Sequence, residues 1–321
     1  MRAQRIESLD GPDGLRPAEI PEPAADGQVL IDVAAAGVSF PDVLMSRGLY
    51  QMKPPLPFVP GVEVAGTVRS APDGSGFSRG DRVMAVTMLG GFAEVAAAPA
   101  GLTLPVPQRL SFEQGAGLLL NHHTAHFTLT RRAGLAAGET VLVHGAAGGV
   151  GTAVIQVARA LGAQVVALTS SAEKAEVARI AGAHRVIDTA ADWPAEVRTL
   201  NGGRGADVIV DPVGGDRFDE SLRCLARGGR LVVVGFTEGR IPTVAANRLL
   251  LRNISVVGAA WGAWLATDPG LFAETADALL PMIESGDVAP LVRATFTLDD
   301  AAAALRLIEE RRATGKVVLT V

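Results

Sequence analysis

Val141-Leu142-Val143-His144-Gly145-Ala146-Ala147-Gly148-Gly149-Val150-Gly151 reads as a strand, a glycine turn and the start of a helix. The strand is an apolar, β-branched run. The turn sets Ala146, Gly148 and Gly151 at the spacing of a dinucleotide-binding fingerprint, with alanine standing for the first glycine. The helix that follows, Thr152 to Leu161, lines Val154, Ile155, Val157, Ala158 and Leu161 along one face. Such a turn lets backbone N–H groups approach a pyrophosphate, and the helix N-terminus adds a partial positive charge. Ala146, Ala147, Gly148, Gly149, Val150 and Gly151 are therefore the candidate pyrophosphate cradle. An ordinary tight turn is the plainer alternative; the strand before it and the helix after it favour the cradle.

The next strand selects the dinucleotide. Gln164-Val165-Val166-Ala167-Leu168 leads into Thr169, Ser170 and Ser171, then Glu173 and Lys174. A chain selecting NAD places an acidic residue at the end of this strand, about twenty residues past the glycines, to bind the ribose 2′-OH. Here the place is held by small hydroxyls, with a lysine one turn further on. Hydroxyls and an ammonium suit a 2′-phosphate, which a carboxylate would repel. NADPH is the expected cofactor, with Ser170, Ser171 and Lys174 as its contacts. The two serines equally suit the cap of a helix from Ala172 to Ala181.

A chain of 321 residues, 48% apolar and 20% charged, has room for two cored domains. A net charge of −5 without clusters of Lys and Arg argues against a nucleic-acid partner. No apolar run approaches a membrane span, and the charged N-terminus is unlike a signal peptide, so the expected location is cytoplasmic. The single cysteine, Cys224, rules out an internal disulfide or a multi-cysteine metal site. Up to about residue 120 the chain runs in short apolar stretches punctuated by Pro and Gly, a barrel-like all-β texture. From about 138 to 257 strands near 140–145, 164–169, 185–188, 207–211, 230–235 and 253–258 alternate with helices near 149–162, 172–182, 192–201 and 215–227. That alternation predicts an α/β doubly wound parallel sheet. The tail carries a helical stretch at 269–284, a short strand at 294–298, a helix at 299–311 and a last strand at 316–321. Its texture resembles the first region. The expected domains are 1–121 with 259–321, and 122–258.

The full length resembles the zinc-free medium-chain dehydrogenases/reductases of the quinone oxidoreductase family, in particular its quinone oxidoreductase-like branch. The resemblance rests on Gly37-Val-Ser-Phe-Pro-Asp42, Arg47-Gly-Leu-Tyr-Gln51, Pro54-Pro-Leu-Pro-Phe58, Pro60-Gly-Val-Glu63 and Gly80-Asp-Arg-Val83. It continues through the 146–151 turn, Asp211-Pro-Val-Gly-Gly215, Val234-Gly-Phe236, Asn247 to Asn253, Trp261-Gly262 and Gly315-Lys-Val-Val-Leu319. It implies a GroES-like β-barrel domain built from both chain ends and a Rossmann domain, with NADPH and substrate in the cleft between them. Val213, Gly214, Gly235 and Phe236 would border the dinucleotide. Asn247 would reach the cofactor amide, Thr124 would cross under the nicotinamide, and Lys316 would approach the nicotinamide half. The strand Ile254 to Gly258 would pair with its twin in a homodimer, and an unpaired apolar edge invites such pairing.

Zinc-dependent relatives carry a cysteine and a Gly-His-Glu triplet where this chain has Ser39 and Val62. His122, His123 and His126 have no Cys, Asp or Glu beside them, so no metal is expected. Without a metal, the oxygen that gains charge as hydride reaches a quinone or enone needs a hydrogen bond from a side chain or water. Tyr50, Ser39 and Asn121 are the candidate catalytic donors, with His122 or His123 as possible proton shuttles. Tyr50 also suits a barrel core, and Asn121 a cap for a helix starting near His123. The favoured function is NADPH-dependent quinone reduction. Reduction of the C=C bond of an enone or enoyl thioester is the first alternative, and a non-catalytic, crystallin-like NADPH-binding role the second.

Overall fold

In the computed structural model, which describes residues 1–321, the short N-terminal apolar runs form strands. β1 (Arg2–Ile6) and β2 (Leu15–Glu19) make a small antiparallel pair. β3 (Val29–Val38), β4 (Glu63–Ser70), β5 (Arg82–Val86), β6 (Val95–Ala98) and β7 (Thr103–Pro105) follow. Next come β8 (Thr140–Val143), β9 (Gln164–Thr169), β10 (Arg185–Asp188), β11 (Ala206–Asp211), β12 (Leu225–Val233) and β13 (Ser255–Gly258). β14 (Val292–Thr297) and β15 (Lys316–Thr320) end the chain.

The chain divides into two compact units, residues 1–120 with 289–321, and residues 121–288. The first is the GroES-like unit. Its main sheet runs β14-β15-β3-β4-β5-β7, with β6 also on β3. Ile31, Val64, Phe92, Leu305, Val317 and Leu319 are fully buried in its core. The returning strand β15 lies antiparallel to β3 with Val317 opposite Val38, and β4 places Glu63 opposite Gly37. This register brings Lys316, Ser39 and Glu63 to one end of the sheet.

The second unit is the Rossmann sheet, parallel throughout and ordered β10-β9-β8-β11-β12-β13. Strand order reverses between β8 and β11, so the loops after these strands open at the switch point where such sheets bind ligands. No helix in the chain is long and apolar enough to cross a membrane.

Two boundaries differ from expectation. The helix expected to run to 227 stops at Cys224, because Leu225 already pairs with Ala206 and begins β12. The second boundary between units lies at 288/289 rather than 258/259. Helix Gly270–Ser285 stays with the Rossmann unit, where the Phe272 ring packs 4.8 Å from that of His123, and Trp261 meets the same imidazole edge-on at 5.7 Å. Helical texture alone could not assign that segment to a unit.

Candidate active site

The glycine turn is built as the spacing predicts. Helix Gly149–Ala160 is capped by Gly148 in an extended conformation, and the Thr152 amide donates to the Gly148 carbonyl at 2.9 Å. The amides of Gly149, Val150 and Gly151 thus belong to the first turn, whose N–H groups have no intrahelical acceptor and face outward. At Gly151 a methyl would lie 2.2 Å from the Gly145 carbonyl oxygen, so this glycine permits the close approach of helix to turn. At Gly148 a methyl would meet nothing closer than that same oxygen at 3.4 Å, which leaves an open approach to the amides. Ala146 and Ala147 are buried beneath.

Asn121 lies against this turn: a methyl on Gly149 would come within 2.5 Å of its Nδ2. The helix carrying it, Leu119–Phe127, starts before Asn121, so the side chain is not the N-cap that a start near His123 required. Thr124 is buried one turn further along. His122 bonds through Nε2 to Gln156 Oε1 at 2.9 Å, tying this helix to the one after the glycines.

At the end of β9, Ser171 caps helix Ala172–Ile180 by accepting the Lys174 amide at 3.2 Å. Ser170 and Ser171 are exposed and Lys174 is half-buried. Asp211 ends β11 and accepts the Val213 and Gly214 amides on Oδ1 at 2.8 and 2.9 Å, which fixes the loop at the switch point. That loop is zipped to the one after β12: Thr237 and Glu238 donate to the carbonyls of Pro212 and Val213. Gly235 and Phe236 lie in the second loop, half-buried. Asn247 is exposed on helix Ala246–Arg252.

In the GroES-like unit the sheet register assembles a buried polar cluster. Lys316 Nζ donates to Glu63 Oε1 at 2.6 Å and to Ser39 Oγ at 2.8 Å. Glu63 Oε2 accepts the Leu120 amide at 2.9 Å. The Lys316 and Glu63 side chains are 4% and 0% exposed, so this is a fully desolvated ion pair. Asp42 adds a second anchor, accepting the amides of Ser39 (2.9 Å) and Gly61 (3.0 Å) on separate oxygens. Ser39 begins helix Phe40–Ser46 and Asp42 is its third residue, so the carboxylate reaches back to the N-cap amide as in a capping box. Burial pushes the Asp42 carboxyl up to about 7, against the pull of its two amide donors. Tyr50 is half-buried against the same core; burial, and then the Asp42 charge, raise its pKa and keep the phenol protonated.

Lys316, which the resemblance brings toward the nicotinamide half, has its ammonium held by Glu63 and Ser39 inside its own unit. One expectation is corrected. His123 is no proton shuttle: it is buried between Trp261 and Phe272, and desolvation, then its histidine neighbours, push its pKa down to about 3. Glu63 and Asp42 stand in the quoted motifs but had no expected role. A Glu opening an apolar strand signals a buried carboxylate, but its cation lies at the far end of the chain.

The donor set suits NADPH: outward amides, small residues over them, and hydroxyls with a lysine where a carboxylate would mark NAD. It does not suit zinc. Ser39 and Val62 replace a thiolate and an imidazole, an ammonium already takes the oxygens of Glu63 and Ser39, and nowhere do three His, Cys, Asp or Glu side chains group as ligands.

Comparison with known proteins agrees on NADPH. A model described as alcohol dehydrogenase GroES-like domain matches residues 25–108, and one described as zinc-binding dehydrogenase matches residues 149–281. The chain is 40% identical to a quinone oxidoreductase-like protein 2 homolog of Nematostella vectensis, over 91% of this chain and 81% of the relative. It is 36% identical to the quinone oxidoreductase of Rattus norvegicus, over 99% of this chain and 97% of the relative. A mycobacterial structure complexed with NADPH superimposes with a TM-score of 0.92 at 36% identity, covering 100% of both chains. Fold and site together define an NADPH-dependent oxidoreductase of the medium-chain dehydrogenase/reductase class acting on a small molecule. Within that class the chain belongs to the quinone oxidoreductase family.

Proposed function

We propose that this enzyme reduces quinones with NADPH and without zinc. When bound, NADPH supplies a hydride. The backbone amides of Gly149, Val150 and Gly151 hold its pyrophosphate, and Ser170, Ser171 and Lys174 its 2′-phosphate. The loops carrying Val213, Gly214, Gly235 and Phe236 border the ribose, while Asn121 and Thr124 line the approach beside the glycine turn. Asn247 is the candidate contact to the cofactor amide.

The observation that carries the zinc-free reading is the Lys316 ammonium on Glu63 and Ser39. The charge available to this cluster is a fixed ammonium, and the groups that can donate to a substrate oxygen are hydroxyls and an amide: Ser39, Tyr50 and Asn121. Neutral donors stabilise oxygen that gains charge during reduction without a Lewis acid. Steady-state oxidation of NADPH with a panel of 1,4-quinones, enones and enoyl-CoA esters tests the reading. Quinones as the substrates with the highest kcat/KM support it. Preference for the enones or thioesters moves the reaction to the C=C bond, and silence across the panel despite tight NADPH binding leaves a binding protein.

A homodimer through β13 is part of this proposal. β13 pairs only with β12, and Leu250 and Leu251 of the preceding helix are 75% and 78% exposed. An open strand edge flanked by apolar side chains is what a second copy would cover. Sedimentation should give a dimer for the native chain and a monomer for L250D/L251D.

A further inference from the structure

We propose that Ser39 is the hydroxyl that donates to the substrate oxygen gaining negative charge, and that Lys316, held by Glu63, is the positioning residue that turns its proton away from the ammonium. This rests on the reductase reading above.

A serine hydroxyl has one proton and two lone pairs, whereas an ammonium can only donate. The 2.8 Å contact from Lys316 Nζ therefore occupies a lone pair of Ser39 Oγ and directs the hydroxyl proton away from the ammonium. Lys316 cannot turn aside, because Glu63 Oε1 holds it at 2.6 Å and the Leu120 amide holds the other carboxylate oxygen. The Ser39 backbone is fixed in turn by the bond from its amide to Asp42. The serine's amide, its carbonyl and one lone pair of its hydroxyl thus have partners, and its proton is left for another acceptor. In a dry environment an adjacent cation makes a hydroxyl a stronger donor, since chained hydrogen bonds polarise one another where the dielectric is low.

Composition points the same way. Of 29 basic side chains only three are lysines, Lys53, Lys174 and Lys316. A chain that meets nearly every need for positive charge with arginine uses lysine at this buried site. A compact ammonium can bridge one carboxylate oxygen and one hydroxyl, whereas a planar guanidinium prefers a bidentate carboxylate.

The test is a mutant cycle on the full-length protein, following kcat and KM for a turned-over quinone, NADPH affinity by fluorescence, and thermal unfolding. Lys316→Met alone would bury an unpaired carboxylate, so the background is Lys316→Met with Glu63→Gln, which removes both charges at similar volume and keeps an acceptor for the Leu120 amide. In the native background Ser39→Ala should lower kcat roughly a hundredfold, the loss expected for one donor to a developing oxyanion, with NADPH affinity unchanged. Ser39→Thr should recover most of that loss. In the charge-free background Ser39→Ala should cost less than about threefold, because the hydroxyl is no longer oriented. Equal losses in both backgrounds would overturn the role of Lys316, and no loss in either would overturn that of Ser39. If the native protein turns over neither quinones nor enones, the reductase reading itself falls and takes this inference with it.

Discussion

Single atoms decide much of this site. Gly148 and Gly151 stand in one turn but do different work. Gly151→Ala forces a methyl to within 2.2 Å of the Gly145 oxygen, so it should lower the unfolding temperature and NADPH affinity together. Gly148→Ala has room and a negative φ, so it should melt like the native protein yet bind NADPH more weakly. Equal melting temperatures for both variants would contradict this division. At the adenosine end, Lys174→Glu should weaken NADPH roughly 10- to 150-fold, the range of one hydrogen bond to a charged group, with little change for NADH. Equal losses for the two cofactors would remove Lys174 from the 2′-phosphate site. His123 makes a pH prediction. Its imidazole stays neutral in the fold down to about 3, against an ordinary value of 6.5. The unfolded chain therefore takes up a proton that the folded chain does not as pH drops below about 6.5. The contribution to stability is complete above that value and is lost progressively as pH falls toward 3. His123→Phe should flatten this part of the stability profile, and its Nδ1 has no hydrogen-bond partner to forfeit. An unchanged profile would show that other groups dominate acid sensitivity.

At the level of elements, the glycine turn, the hydroxyl-ended second strand and the six parallel strands were legible because each is local: period, turn residues and strand ends sit within a few residues of one another. The Lys316–Glu63–Ser39 cluster was not. It exists only because β15 returns to pair with β3, and a spacing of 253 residues between Glu63 and Lys316 leaves no local trace. The motif around Ser39 and Asp42 was visible as residues, but their burial and mutual bonds depend on β3 and β4 lying side by side. A second non-local clamp holds the Rossmann unit. Arg230 of β12 makes a bidentate pair with Glu139 at 2.6 and 2.7 Å and donates to the carbonyls of Ala133 and Gly134. It thereby fixes the segment that follows the π-helical turn Thr128–Arg132. The guanidinium in turn holds the Glu139 carboxyl below the usual carboxylate range. Arg230→Ala should cost about 3 kcal/mol in denaturant unfolding, as for other largely buried pairs that lose one partner. A loss near zero would show that the loop finds other acceptors.

Across the whole molecule, sequence texture placed the last strand with the first unit, as the structure does. It misplaced residues 259–288, because an amphipathic helix carries no mark of the surface it will cover. The Rossmann unit presents amides and hydroxyls suited to NADPH, and the GroES-like unit carries the buried ammonium and its serine; the proposed function assigns them to one reaction. The central claim is that this enzyme reduces quinones without a metal. The most direct test is quinone turnover by protein treated exhaustively with chelator, alongside metal content by mass spectrometry. We predict unchanged kcat at far less than one zinc per chain. Activity that disappears with the metal and returns on adding zinc would contradict the account.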